Sequence, residues 1–156
     1  LSHVGYEFSL IGKDQSVGDP ERLRVALDEG ATVIAAHACS YGLILFEKFL
    51  PTLRDFVKRY PNFYADISAL TLPNRLRMLL HLRQYPEIQE RLLFGTDYPL
   101  SVFHIAAWGR VAFSTLRKMI RTKNRFDRQV EVCHGLNLSF RSLGDVLAHS
   151  AANTKH

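Results

Sequence analysis

Arg91-Leu92-Leu93-Phe94-Gly95-Thr96-Asp97-Tyr98-Pro99 is the stretch around which the chain is organised. A short apolar run bounded by turn residues reads as a buried strand. Leu92 to Gly95 is that strand, and Asp97 sits where it opens into a loop closed by Pro99. A carboxylate there is costly unless it is paired or bound to a metal. The carboxyl ends of strands are also where parallel α/β folds keep their chemistry. Two other strand-like runs present a histidine in the same way, Leu1-Ser2-His3-Val4-Gly5 and Val33-Ile34-Ala35-Ala36-His37-Ala38.

Outward from that stretch, strands alternate with helices. Leu1 to Val4 reads as the first strand, and a loop from Tyr6 to Asp19 carries Gly12 and Gly18. Asp19-Pro20-Glu21 is a helix start, with Asp as N-cap, Pro in the first turn and an acid against the dipole. Leu23, Ala26 and Leu27 follow at helical spacing, and Gly30 is a natural stop. Ala31 to Ala38 is nearly all apolar, so both its faces should be covered. Leu45, Phe46, Phe49, Leu50, Leu53, Phe56, Val57 and Tyr60 form a helical stripe, which Pro51 should kink or split. Phe63 to Ser68 is a third strand. Pro73 opens a helix carrying Leu76, Leu79, Leu80 and Leu82, and Pro86 restarts a short one to Glu90. After Pro99, helices are expected from about Ile105 to Arg121 and from about Phe126 to His134. Leu143 to Ala148 reads as a last helical turn, and the tail from Ser150 is expected to fray. This βα alternation implies a parallel sheet with right-handed crossovers, in a single domain over residues 1–156.

The bulk numbers agree with one globular domain. The chain has 156 residues, 47% of them hydrophobic, enough to bury a core. No apolar run approaches the roughly 18 residues of a membrane span, and no basic-then-apolar leader opens the chain. The net charge of +5 comes largely from Arg75, Arg77, Arg83, Arg110, Arg117, Lys118, Arg121, Lys123, Arg125 and Arg128. These read as solvated helix faces, because no aromatic-interleaved basic groove is visible. Neither nucleic acid nor membrane is expected as a partner. Cys39 and Cys133 form no CxxC pair, so a reduced, cytoplasmic setting is expected.

In a parallel sheet all strand carboxyl ends lie on one side, so His3, His37 and Asp97 should converge. Two imidazoles and a carboxylate are ordinary ligands for Zn²⁺ or a similar divalent ion. Each has a plainer reading: His3 as a terminal residue without a role, His37 as a satisfied core histidine, Asp97 as the cap of a turn. Asp66 reads as a structural hydrogen-bonding residue. His104 is surface or lines the mouth of the site, and His81 and His134 are scaffold.

Leu-Ser-His-Val-Gly, Val-Ile-Ala-Ala-His-Ala with Gly42, Phe-Tyr-Ala-Asp-Ile-Ser and Leu-Leu-Phe-Gly-Thr-Asp-Tyr-Pro together resemble the amidohydrolase superfamily. The nearest branch is that of aminocarboxymuconate-semialdehyde decarboxylase-like enzymes and related metal-dependent hydrolases. The resemblance runs from Leu1 to about Pro99. It implies a (β/α)₈ barrel of TIM type with His3 on the fifth strand as a metal ligand. His37, on the sixth, would bind a second metal or polarise substrate, and Asp97, on the eighth, would bind metal and handle the proton of the attacking water. Asp66, on the seventh, matches no ligand. The family's first-strand His-x-His pair has no counterpart here. The chain therefore reads as four βα units, the carboxyl-terminal half of a barrel, beginning at Leu1 as a partial or processed chain.

The implied function is metal-dependent hydrolysis of C–N, C–O or lactone bonds in a small molecule, with Zn²⁺ (or Mn²⁺) as cofactor and Asp97 and His37 as catalytic residues. Alternatives are decarboxylation and, in another class, a non-catalytic half-barrel serving in assembly. A doubly wound domain binding a small anion has no Gly-rich fingerprint behind it. A half-barrel is expected to expose its inner strand face, with Ile34, Phe63 and Leu93 as candidates. Self-association or pairing with a missing amino-terminal half should follow.

Overall fold

The computed structural model describes residues 1–6 and 14–147. The expected loop around Gly12, the end of the last turn at Ala148 and the tail from Ser150 fall in 7–13 and 148–156, outside the described residues.

Asp19 starts the first helix as its composition requires. Its carboxylate accepts from Glu21 N at 3.0 Å, and a 3₁₀ turn at Pro20–Arg22 runs into α1, Leu23–Asp28. Gly30, at φ +81°, ends it in a left-handed conformation that costs glycine nothing. The strands are β1 (Val33–Ala35), β2 (Phe63–Asp66) and β3 (Leu92–Leu93). They form a parallel sheet in the order β1-β2-β3, with Val33 beside Phe63, Ala65 beside Leu92 and Asp66 beside Leu93. The architecture is therefore mixed α/β with a small parallel sheet.

Four strands were expected, and the outer ones are shorter than their apolar runs. The Leu1–Val4 run contributes a single bridge, Ser2 to Ala35, in which Ser2 N donates to Ile34 O and Ala36 N to Ser2 O. Gly5, at φ +91°, turns the chain away before more pairs form. β3 ends at Leu93 because Phe94 N turns to Arg141 O, while Arg141 N donates to Leu92 O. Each sheet edge thus carries one bridging residue, Ser2 on the β1 side and Arg141 on the β3 side.

Alternation sorts the strand residues onto two faces. Val33, Ala35, Phe63, Ala65 and Leu92 enter the main core. Leu23 and Leu27 of α1 join them there, with Leu53 and Phe56 of α2 (Leu50–Arg59). Met78, Leu79 and Leu82 of α3 (Leu76–Leu82) and Ile88 of α4 (Pro86–Gln89) complete this layer. The Phe56 and Phe63 rings meet edge to face at 5.2 Å. Each such large apolar side chain contributes about 1.5–3 kcal/mol by leaving water. The other face is not bare, as had been expected of a half-barrel. Tyr64 and Leu93 are buried against Val146, with Ile34 packed alongside. Of the three residues expected to be exposed, Phe63 and Leu93 are buried and Ile34 is half-buried. The helical turn at 143–147 brings Val146 back over the sheet.

Two helix readings also change. Pro51 does not kink a helix; it lies in the first turn of α2, where its missing N–H breaks no bond. The stripe upstream of it is a loop, and Leu43, Ile44, Leu45 and Phe46 stand exposed. The expected helix over 105–121 is divided. A 3₁₀ turn at Ile105–Ala107 is followed by Gly109 at φ +67°, and α5 occupies Phe113–Arg121. Asn124 caps α6 (Arg125–Gly135), accepting from Phe126 N and Asp127 N. None of the described helices is long and apolar enough to cross a membrane.

Candidate functional site

The site is built where β1 ends. After Ala35 the backbone enters three consecutive left-handed residues, His37 (φ 55°), Ala38 (φ 48°) and Cys39 (φ 58°), all buried. Each non-glycine residue held there costs about 1–2 kcal/mol. Such strain persists only where neighbouring contacts over-determine it, and it clusters at functional sites.

Asp66, at the end of β2, supplies those contacts. Its Oδ1 accepts from His37 N at 2.9 Å and from Ser68 N at 3.0 Å, and also from the Ser68 hydroxyl. The structural role read for Asp66 in the sequence is what it performs. Asp66→Ala would leave the buried His37 and Ser68 amides without acceptors, at about 1–3 kcal/mol each. Urea unfolding should show a loss of about 2–5 kcal/mol. A loss below about 0.5 kcal/mol, the scatter of ordinary surface changes, would contradict this role.

The His37 ring is fixed from the same side. Nδ1 lies 3.0 Å from Ser68 O and 2.8 Å from Ser68 Oγ. A carbonyl can only accept, so Nδ1 carries the proton and Nε2 keeps its lone pair. Burial first, and the nearby Arg75 guanidinium second, hold His37 below the ordinary imidazole value, against the opposing pull of Ser68 and Asp66. The ring is thus a neutral base with its free nitrogen outward, the form in which histidine ligates metals.

That nitrogen faces Asp97. Asp97 Oδ2 is 3.8 Å from His37 Nε2, on a carboxylate 42% exposed, and Asp97 is itself left-handed at φ 55°. The distance is too long for a hydrogen bond. It exceeds by a few tenths of an ångström the roughly 3.3–3.6 Å between two tetrahedral ligands with 2.0–2.2 Å bonds. His3 completes the group, its ring edge-on to His37 with centroids 4.9 Å apart. The strands therefore bring His3, His37 and Asp97 to one place. The donors suit a divalent ion in kind and in tautomer. They do not close on one point, for no group of three or more His, Cys, Asp or Glu able to hold an ion occurs among the described residues.

The amino-terminal segment is packed tightly onto the His37 turn. A Cβ on Gly5 would stand 2.1 Å from Ser40 O, and Gly5 N donates to Gly18 O. Around the site, the loops leaving β1 and β3 present exposed apolar groups: Leu43 to Phe46 on one side, Tyr98, Leu100 and Phe103 on the other.

Two residues at this site, Ser68 and Gln129, carry no signature in the sequence, and a third, Arg75, carries a faint one. Ser68 sets the His37 tautomer. Gln129, buried on α6, donates to Gly95 O at 2.6 Å and to Ile67 O at 3.2 Å, tying the ends of β2 and β3 together. Arg75, read as a solvated helix charge, is 1% exposed and reaches Ser40 O. The available hint was its place at the start of α3, where a cation opposes the helix dipole. His104 is half-buried at the head of the 3₁₀ turn, and His134 stacks on Phe140. Both cysteines are free thiols, and burial pushes the Cys133 thiol up to about 12.

No protein-family model matches the chain, and neither do any curated proteins or solved structures.

Proposed function

We propose that the chain forms part of a metal-dependent hydrolase of the amidohydrolase type, its βα units belonging to a (β/α)₈ barrel. The observation that carries this reading is the meeting of His3, His37 and Asp97 on the carboxyl side of one parallel sheet, after the Ser2 bridge, β1 and β3 respectively. Barrels of this kind keep their active sites at that end. Each edge of the sheet carries a single bridging residue, which leaves room for further strands to close it. The reading therefore includes pairing with complementary βα units, from a second copy or from another half.

A bound Zn²⁺ or Mn²⁺ would supply Lewis-acid polarisation of a scissile carbonyl and make water acidic enough to lose a proton near neutral pH. His3, His37 through Nε2, and Asp97 would hold it. The protein's own steps follow from position. Asp97 Oδ2, beside Nε2 and open to solvent, accepts the proton of the attacking water and returns it to the leaving group. His37, its Nδ1 proton committed to Ser68, has only the Nε2 lone pair to offer, so its part would be to hold the ion in a fixed place and not to donate to the developing oxyanion. Asp66 and Ser68 keep that ring in place.

The test is acid release from a panel of small amides, esters and lactones by the assembled protein with zinc or manganese. Chelation should remove the turnover and added metal restore it. Turnover indifferent to a chelator would refute the proposal. Release of carbon dioxide in place of acid would transfer the site to the decarboxylase alternative.

A further inference from the structure

The positive charge of this protein is not spread evenly. Between residues 110 and 128 lie seven Arg and Lys, against one acid, Asp127, while the whole chain carries a net +5. The remainder of the chain is therefore close to neutral, and the basic excess belongs to α5 and its flanks. Such asymmetry marks a surface built for a polyanionic partner.

The character of α5 narrows the partner. Met119 is buried and Leu116 packs against the core, which fixes the opposite arc outward. Phe113, Arg117, Ile120 and Arg121 fall on that arc at i, i+4, i+7 and i+8. Phe113 is 78% and Ile120 51% exposed, and Trp108, on the preceding loop, is 58% exposed. Lys118 is paired with Glu131, but Arg117, Arg121 and Lys123 have no carboxylate partner among the described residues. A shallow concavity of about 330 Å³ lies along the same helix, lined by Ser114, Arg117, Lys118, Arg121 and Thr122.

We propose that this face of α5 is a peripheral docking site for an anionic lipid bilayer. Phe113 and Ile120 enter the boundary of the acyl region, Trp108 sits at the headgroup level, and Arg117, Arg121 and Lys123 meet lipid phosphates. Apolar groups and cations on one exposed helical face are the pattern of interfacial binding. A single-stranded nucleic acid would instead call for aromatic platforms along a basic groove, and Ile120 offers no ring on which a base can stack. At nine residues, α5 lies on the membrane and cannot cross it, since a span needs about 20.

The experiment is co-sedimentation of the chain with vesicles of phosphatidylcholine alone and of phosphatidylcholine with phosphatidylserine, at low and high salt. Binding should require phosphatidylserine and weaken as salt rises. Arg117→Glu/Arg121→Glu should reduce partitioning by at least about tenfold. Phe113→Ser/Ile120→Ser, which changes no charge, should reduce it by about tenfold as well. Circular dichroism should show both variants folded, because the altered side chains are exposed. Equal partitioning onto the two kinds of vesicle would overturn the proposal. So would wild-type binding by the Phe113→Ser/Ile120→Ser variant, or a preference for a single-stranded RNA oligonucleotide over the vesicles.

Discussion

Asp97→Asn should lower hydrolytic turnover by a factor on the order of 10²–10⁴ while leaving the fold unchanged. The amide has nearly the shape of the carboxylate but cannot accept a proton from water at neutral pH. Asparagine is also among the few residues that settle readily at positive φ, so the φ of 55° at this position is kept. Leu100 N, which donates to Asp97 O, bonds to the backbone and survives the change. The assay belongs in an assembly that closes the sheet around the site. In the separate chain Asp97 is 42% exposed, and water weakens the electrostatic stabilisation on which the proposed reaction would depend. Turnover by the separate chain should therefore be low for wild type and variant alike. An unimpaired Asp97→Asn assembly would remove this residue from the chemistry.

Gly5→Ala should be the most damaging single methyl in the described structure. The added Cβ meets Ser40 O at 2.1 Å, well inside any real contact, and the obstacle is backbone. The φ of +91° at Gly5 adds strain of its own. A loss on the order of 3–5 kcal/mol follows, equivalent to a fall in Tm of about 6–20 °C for a chain of this size. His3, two residues away, should move off His37 in the same step, so the metal affinity proposed for this site should fall with stability. Gly30→Ala is the control. It shares a positive φ, but a Cβ there meets nothing within 4 Å, and its cost should stay near 1 kcal/mol. Thermal unfolding of the two variants side by side separates contact from conformation. Equal losses would show that Gly5 is required for its φ alone.

What could be read in the sequence followed from local rules. Apolar runs ended by turn residues marked all three strands, because a strand buried on both faces needs no polar alternation. Asp19-Pro20 and Gly30 fixed the first helix, because caps act within one turn. The meeting of His3, His37 and Asp97 was legible because parallel strands share a direction. Strand length was not, since it depends on partners distant in sequence: Arg141 takes Phe94 out of β3, and Gly5 ends the first run after one bridge. Pro51 was ambiguous because a proline that breaks a helix interior is also a good first residue. The packing of Ser68, Arg75 and Gln129 around the strand ends had no sufficient local signal, for each acts across segments remote in sequence: the Ser68 carbonyl on the His37 ring, Arg75 on Ser40 O and Gln129 on Ile67 O. The covering of Leu93 and Tyr64 by Val146 was hidden for the same reason.

Paramagnetic broadening by Mn²⁺ decides whether His3, His37 and Asp97 make up the proposed divalent-cation site. The method detects even a weakly held ion and needs no substrate. In a substoichiometric titration followed by NMR, the imidazole signals of His3 and His37 and the amide signals around Asp97 should broaden first and together. His81, His104 and His134 should remain sharp, and Zn²⁺ should compete the effect away. Broadening that begins at other histidines, or that leaves His37 untouched while Mn²⁺ binds, would rule out a shared cation site at these three residues.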